Sequence, residues 1–270
     1  MSQIKQLLII GCGNMGGAML AGWLRAGIAP SRLAVLDPAL DAAPAGVALF
    51  RTPEEAEAAG GHDAVLLGFK PQQLGQLGPG LQSVTGEGVS VYSLLAGITL
   101  AQLAQSFPAA AAHVRVMPNL ASRINKSPII LLQSGLPDDD REDAFGFFNQ
   151  LGTAVWLEDE DKFDLATALA GSGPGFVYRF IDALAGAASE LGLDPAQSEA
   201  LALAMVDGAS SLAASESVSP GELADRVASP GGMTREGMNV LDRGGALNAL
   251  LVECLRATRD RGAELSAGTT

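Results

Sequence analysis

Three glycines near the start of the chain are spaced for binding a phosphate group. In LIIGCGNMGGAML (residues 8–20), Gly11, Gly13 and Gly16 end a short apolar run and open a helical segment. Glycine lets the backbone turn tightly and approach a ligand, and a helix N-terminus offers free N–H groups. G-x-G-x-x-G between a strand and a helix is the fingerprint of dinucleotide binding. A ligand-free turn remains the alternative, since glycine-rich turns at such junctions are common.

Asp37 adds to the dinucleotide interpretation. It ends the second apolar run, roughly twenty residues after Gly16, where a carboxylate meets the ribose hydroxyls of NAD. Because an anion there repels the additional phosphate of NADP, the sequence favours NADH over NADPH. The alternative is that LDPA is only a turn, in which the aspartate caps the backbone.

Three later loops each follow a predicted strand. GFKPQQL places Lys70 after one strand, LLAGIT places Gly97 after the next, and VRVMPN places Pro118 and Asn119 after a third. The carboxyl ends of parallel strands meet at one edge of a sheet, where ligands bind. Each loop could separately be an ordinary connection, but together they indicate a cofactor crevice.

The segment ASPGGMTREG (residues 228–237) interrupts an otherwise helical region. Successive N–H groups of Gly231, Gly232 and Met233 could form a nest that receives a carboxylate. Thr234 stands at the start of the next helix. The alternative is a helix-breaking turn in which this threonine is the N-cap.

In the first half of the chain, predicted strands alternate with predicted helices, and these elements would position the residues named above. The blunt apolar runs are residues 6–10, 32–36, 63–68, 88–94, 112–117, 127–133 and 153–157. Runs that are apolar on both faces and separated by helix-length segments indicate a mostly parallel, doubly wound α/β sheet of the Rossmann type.

Strand signals stop at about Asp161, and the remaining segments all have helical patterns. We therefore predict a dinucleotide-binding domain at 1–160 and an all-α domain at 161–270. Several helices are apolar around much of their circumference, as in ALALAM from Ala200 to Met205. Such helices in a small domain predict burial against a second copy of the chain.

Composition excludes several other classes of protein. The net charge of −13 disfavours nucleic acid and anionic membranes as partners. Cys12 and Cys254 lie far apart in sequence, and His62 and His113 have no metal-like neighbours, so neither a disulfide framework nor a metal site is expected. No window approaches the ~20 apolar residues of a membrane span. We expect a cytoplasmic protein.

The motifs together resemble those of pyrroline-5-carboxylate reductase, the enzyme of the last step of proline biosynthesis. They are the N-terminal GxGxMG, FKPQ, VRVMPN, AGSGPGF (residues 170–176) and SPGGMT with the preceding ADRV, in that order. The resemblance covers nearly the whole chain. It implies a Rossmann domain joined to a helical dimerisation domain, active sites shared between subunits, and dimers that can assemble into larger rings.

The resemblance also assigns residues by position. Cofactor-binding positions would be Gly11, Gly13, Asn14, Met15, Gly16, Phe69, Lys70, Pro71, Ala96, Gly97, Ile98 and Asn119. Positions around the substrate would be Glu160, Ser229, Gly231, Gly232, Met233 and Thr234. Glu216 and Lys70 would form a supporting pair. The chain departs from the family pattern at MPNLAS, Ala170, Met233 and SRINKSP, and it keeps Thr234 and the glycines.

The chemistry implied is hydride transfer to a cyclic imine. The protein would orient the imine and stabilise charge while a nicotinamide, NADH or NADPH, supplies the hydride. The glycine nest would hold the substrate carboxylate. The Thr234 hydroxyl would hydrogen-bond the ring nitrogen, either to orient the iminium or to relay a proton from water.

Three rival interpretations remain. A β-hydroxyacid dehydrogenase shares the two-domain plan but uses a lysine on an interdomain helix. Beyond residue 150 the only lysine is Lys162, without a G-x-x-x-K pattern around it. A reductase of another cyclic imine is a nearer alternative. A dinucleotide-binding sensor without turnover would explain the glycine fingerprint but not the SPGGMT segment.

Overall fold

The first half of the chain is built on one eight-stranded sheet, in a computed structural model that describes residues 4–267. The strand order is β3-β2-β1-β4-β5-β6-β7-β8. The strands are β1 (Leu7–Ile10), β2 (Leu33–Leu36), β3 (Ala48–Phe50), β4 (Ala64–Leu67), β5 (Ser90–Ser93), β6 (Ala112–Met117), β7 (Ser127–Ser134) and β8 (Gly152–Trp156). The predicted Rossmann-type sheet is confirmed, and the short edge strand β3 is an addition that the sequence analysis missed.

The sheet is parallel at each described pairing except that between β6 and β7. These two strands are antiparallel, with Met117 opposite Ile130. Only a short 3-10 helix, Leu120–Ile124, lies between them. A parallel pair needs a crossover of a dozen or more residues, so this short connection accounts for the reversal.

Both faces of the sheet are buried, as the blunt apolar runs predict. All four residues of β1 are buried. Leu7 and Ile9 belong to one apolar cluster, whereas Leu8 and Ile10 belong to another. Because successive side chains of a strand point to opposite faces, helices must cover the sheet on both sides.

Six helices follow the strands of this half. They are α1 (Asn14–Arg25), α2 (Pro53–Ala59), α3 (Leu74–Leu77), α4 (Leu100–Ser106), α5 (Asp138–Asn149) and α6 (Phe163–Ala170). Trp23 of α1 is fully buried and lies 4.9 Å from the ring of Phe147 and 5.8 Å from that of Phe148, both in α5. Its Nε1 donates a hydrogen bond of 3.1 Å to the Phe147 carbonyl. These contacts tie α1 to α5.

The second half is helical, as predicted. Its helices are α7 (Gly173–Glu190), α8 (Pro195–Ser215), α9 (Pro220–Val227), α10 (Met233–Asp242) and α11 (Ala246–Ala267). Contacts divide the chain into a sheet unit, to Ser172 and again from Thr258, and a helical unit, Gly173–Ala257. Residues 160–172 are grouped with the sheet because Phe163 is buried against Ile130 and Leu132.

Large apolar side chains are exposed on α7 and α8. They are Val177, Tyr178, Phe180, Leu201, Leu203, Met205 and Leu212. The exposure of so many apolar side chains to water costs free energy, and extended apolar patches mark interaction sites. Within residues 4–267, no helix combines the length and the apolar character needed to cross a bilayer.

Candidate active site

The three glycines of the glycine loop, residues 11–16, differ in their steric surroundings. Gly11 has a φ of +88°, and a Cβ there would lie 2.9 Å from the Phe69 nitrogen. A Cβ on Gly16 would lie 2.5 Å from the Gly11 carbonyl oxygen. A Cβ on Gly13 would meet nothing within 4 Å. Gly11 and Gly16 therefore allow tight packing of the backbone, and Gly13 leaves an open face for a ligand.

The start of α1 is suited to an anion. Gly13 is its N-cap, without a side-chain cap, and the first turn carries no acidic residue. The N–H groups of Asn14, Met15 and Gly16 lie in this turn and have no acceptor within the helix. Free N–H groups and the partial positive charge of the helix end fit a pyrophosphate. The residues present thus match the demands of a dinucleotide.

The glycine loop lies where the order of the strands changes direction. The Gly11 N–H donates to the Leu36 carbonyl at 3.0 Å, and the Gly68 N–H donates to the Ile10 carbonyl at 2.7 Å. The loop after β1 is thereby joined to β2 on one side and to β4 on the other. In open α/β sheets, ligands bind in the crevice at such a switch point.

Asp37 joins the end of β2 to the glycine loop. One carboxylate oxygen accepts the Cys12 N–H at 2.8 Å, and the other accepts the Ala39 N–H at 2.9 Å. Asp37 therefore caps its own turn, as the alternative interpretation expects, and its carboxylate is also held beside the glycine loop. Burial, assisted by the Asp37 charge, raises the pKa of the Cys12 thiol.

Arg51 holds the segment after β2 and was missed in the sequence analysis. Its guanidinium donates to the Asp37 carbonyl at 3.0 Å, to the Asp41 carbonyl at 3.1 Å, and to the Leu40 carbonyl. Three backbone acceptors for one side chain fix the conformation of the loop. No local pattern reveals this role, because the acceptors lie ten or more residues away in sequence.

The loop after β4 contains three of the predicted cofactor residues. Phe69 is partly buried against the apolar cluster of one sheet face, and Pro71 opens a short 3-10 helix. The Lys70 side chain is exposed, and its backbone N–H donates to Gln73 Oε1 at 3.0 Å. The structure therefore places Phe69 beside Gly11 and keeps the Lys70 ammonium accessible.

The loop after β5 contains the next predicted cofactor residues. Ala96 is exposed, whereas Ile98 is buried, and Gly97 has a φ of +79° that a side chain would strain. Thr99 then caps α4 in a reciprocal capping box with Gln102. Residues 96–98 form a tight turn whose exposed part is Ala96.

Glu160 contacts the start of α4. Its Oε1 accepts the Leu100 N–H at 2.9 Å and pairs with Arg115 Nη1 at 2.8 Å. The Arg115 guanidinium lies over the Phe163 ring, with Cζ 3.8 Å from the centroid. Burial lowers the pKa of Arg115, opposed by the hydrogen bond and charge of Glu160. Glu160 is expected around the substrate from the family resemblance, whereas no pattern in the sequence points to Arg115.

Asn119 is buried, and its side chain is used within the protein. Its Oδ1 accepts the Ala121 N–H at 2.9 Å, and its Nδ2 donates to the Ala170 carbonyl at 2.9 Å. Its backbone N–H donates to Ser127 Oγ at 2.9 Å. Asn119 therefore joins the loop after β6 to β7 and to the end of α6.

In the helical unit, residues 229–232 form a turn before α10. The Gly232 N–H donates to the Ser229 carbonyl at 2.9 Å, and Gly231 has a φ of +72°. Gly232 is the N-cap of α10, so Thr234 is its second residue and not its cap, contrary to the turn alternative. Met233 and Thr234 are exposed, and N–H groups in a first helical turn have no intrahelical acceptor. These groups are the donors available to an anion.

Arg235 braces this turn and was also missed. Its Nε and Nη2 donate to the Ala228 carbonyl at 3.3 and 3.1 Å, and Nη2 pairs with Asp225 at 2.9 Å. The same guanidinium adds positive charge to the region before α10. Glu216, the predicted partner of Lys70, is the exposed C-cap residue that directly follows α8.

The chain is 32% identical over 267 residues to pyrroline-5-carboxylate reductase of Methanosarcina acetivorans, a match that covers 97% of this chain and 98% of that protein. The chain belongs to the pyrroline-5-carboxylate reductase family. Residues 160–265 match the family of pyrroline-5-carboxylate reductase dimerisation domains. Residues 6–97 match the family described as NADP oxidoreductase, coenzyme F420-dependent. The family predicted from the motifs is thus confirmed.

Solved pyrroline-5-carboxylate reductases share the fold. That of Coxiella burnetii is 29% identical with a TM-score of 0.90, covering 97% of this chain and 99% of that one. The Plasmodium falciparum enzyme with NADP bound has a TM-score of 0.82 at 22% identity, covering 98% and 99%, and shows the common fold alone.

Proposed function

We propose that this chain reduces the C=N bond of 1-pyrroline-5-carboxylate to give L-proline, the last step of proline biosynthesis. The observation that carries the proposal is a family relation over 97% of the chain. The glycine loop, with its open Gly13 face, and the turn before α10 support it as two separate anion-binding features. A β-hydroxyacid dehydrogenase would also bind a substrate carboxylate, but it would use a lysine on an interdomain helix, and the only lysine beyond residue 150, Lys162, lacks the G-x-x-x-K pattern.

The cofactor is a nicotinamide dinucleotide, which supplies the hydride when it is bound. The start of α1 would hold its pyrophosphate, and the loops after β4 and β5 would line the crevice. For the choice between NADH and NADPH we propose NADH. Asp37 supports this choice because two N–H groups hold its carboxylate at the end of β2, where an additional phosphate would meet a like charge.

The helical unit would orient the imine. N–H groups at the start of α10 would receive the substrate carboxylate, and the Thr234 hydroxyl would hydrogen-bond the ring nitrogen. The hydride adds to the imine carbon, the C=N double bond becomes single, and the nitrogen keeps the proton of the iminium. Lys70 and Glu216 would support this site as a pair.

Self-association of the chain is supported by its match to a dimerisation family and by the exposed apolar side chains of α7 and α8. We propose that the functional unit is a dimer or a ring of dimers with shared active sites. Nucleic acid and anionic membranes are not proposed as partners, given the net charge of −13.

A direct assay tests the function. The absorbance of NADH is followed with pyrroline-5-carboxylate and, separately, with the keto acid of a hydroxyacid couple. We expect NADH to be oxidised in the assay with the imine and not in the assay with the keto acid. Oxidation with the keto acid alone would instead indicate a hydroxyacid dehydrogenase. Cofactor binding without oxidation in either assay would indicate a sensor.

A further inference from the structure

We infer that the Arg115–Glu160 ion pair is a positioning device for the cofactor loop after β5. The inference rests on the proposed function, because that function assigns residues 96–98 to the cofactor. Glu160 Oε1 joins two elements, since it accepts the Leu100 N–H at 2.9 Å and the Arg115 Nη1 donor at 2.8 Å. Arg115 belongs to β6, and Leu100 is the first residue of α4.

Helix α4 does not need Glu160 in order to form. Thr99 Oγ1 accepts the Gln102 N–H, and Gln102 Oε1 accepts the Thr99 N–H at 2.8 Å, so the capping box satisfies the helix start locally. Glu160 instead connects this start to β6. A carboxylate at a helix N-terminus is also favoured by the helix dipole. Glu160 therefore contributes to the position of the loop and not to the formation of the helix.

Arg115 occupies an unfavourable environment for a cation. Its side chain is 5% exposed, and its Nε has no hydrogen-bond partner among the described residues. Burying a guanidinium costs free energy that one ion pair and the Phe163 ring offset only in part. An apolar residue at this position of β6 would serve packing alone better. The buried ion pair has a function if it fixes the loop after β5 against the sheet.

The main test compares Glu160→Ala with Glu160→Gln. The amide of Gln keeps an oxygen that can accept from Leu100 and Arg115, whereas Ala keeps none. We expect Glu160→Ala to raise the NADH dissociation constant, measured by cofactor fluorescence without substrate, by roughly five- to thirtyfold. Glu160→Gln should restore most of the affinity. Amide hydrogen exchange in residues 96–100 should be faster in the Ala variant alone.

Glu158→Ala is the matched control. Glu158 lies two residues earlier, carries the same charge and pairs with Arg141 instead of with α4. Its loss should leave the NADH dissociation constant unchanged. Because Glu160→Ala leaves the buried Arg115 charge without its partner, thermal unfolding is followed for each variant and the dissociation constants are compared at a temperature at which all are folded.

A direct contact between Glu160 and the substrate would give the opposite pattern. The KM for the imine would then rise while the NADH dissociation constant of Glu160→Ala stayed at the wild-type value. That result would overturn the inference and leave the proposed reductase activity intact. Failure of the wild-type chain to reduce the imine would overturn the proposed function instead.

Discussion

At the scale of single residues, Asp37 leads to a prediction about the choice between NADH and NADPH. Its carboxylate is held by two backbone N–H groups at the end of β2. Asp37→Asn removes the charge and keeps one oxygen acceptor. We expect the ratio of kcat/KM for NADH to that for NADPH to fall by roughly tenfold, because the like charge opposite an additional phosphate is gone. Steady-state kinetics with both cofactors provide the measurement.

Asp41→Asn is the control for this change. Asp41 is exposed in the same loop and loses the same charge, and Arg51 holds its backbone carbonyl, not its carboxylate. The ratio of kcat/KM for NADH to that for NADPH should be the same in Asp41→Asn as in the wild type. An unchanged ratio in Asp37→Asn, or a wild-type preference for NADPH, would contradict the assignment of Asp37.

Thr234 carries the prediction about the chemical step. Thr234→Ala removes the hydroxyl proposed to hydrogen-bond the ring nitrogen, so kcat should fall by roughly ten- to a thousandfold. The NADH dissociation constant should not change. Thr234→Ser keeps a hydroxyl and should recover most of the rate. If Ala and Ser variants turn over equally fast, the hydroxyl has no part in the reaction.

Arg235 gives a prediction about substrate binding. Arg235→Gln weakens the brace between α10, the Ala228 carbonyl and Asp225. The turn before α10 then loses order and a nearby positive charge. We expect the KM for the imine to rise by roughly three- to tenfold, with a smaller change in kcat. Arg226→Gln, an exposed arginine of α9, should behave as wild type. Equal effects of both substitutions would reduce the role of Arg235 to net charge.

At the scale of elements, the junction between β1 and α1 separates ligand binding from stability. A Cβ on Gly13 meets open space, so Gly13→Ala should shift the melting temperature by no more than about 2 °C. The same methyl group lies where a pyrophosphate approaches, so the NADH dissociation constant should rise at least roughly tenfold. Calorimetry and fluorescence titration measure the two effects.

Gly16→Ala is the contrasting variant. Its Cβ would lie 2.5 Å from the Gly11 carbonyl oxygen, a contact that packing cannot accommodate. We expect it to lower the free energy of unfolding by about 2 kcal/mol. Equal melting temperatures for the two alanine variants would refute this division between the glycines.

The same elements show what the sequence reveals. The strands and the glycine loop were predictable because burial on both faces and the fingerprint are local patterns. The reversal of β7 was also readable, because the connection between the predicted strands at 112–117 and 127–133 is too short for a parallel crossover. The edge strand β3 was not, because its pairing depends on the neighbouring strand. Arg51, Arg115 and Arg235 were also missed. The partners of Arg51 and Arg115 lie at least ten positions away, and an arginine has no spacing rule that names a distant partner.

At the scale of the whole molecule, the exposed apolar surface of α8 predicts self-association. Leu203→Glu places a charge in that surface, and we expect the variant to sediment as a monomer where the wild type sediments as a dimer or larger species. Gln105→Glu, an exposed position of α4, is the control and should not alter sedimentation. A Leu203→Glu variant with wild-type sedimentation would place the interface elsewhere.

Both indole side chains of the chain, Trp23 and Trp156, belong to the sheet unit. Their emission in urea therefore reports the melting of that unit, whereas far-ultraviolet circular dichroism also includes the long helices of the other. Coincident midpoints would indicate that one cooperative transition unfolds the entire polypeptide. Separated midpoints would reveal an intermediate in which one half has lost its structure before the other.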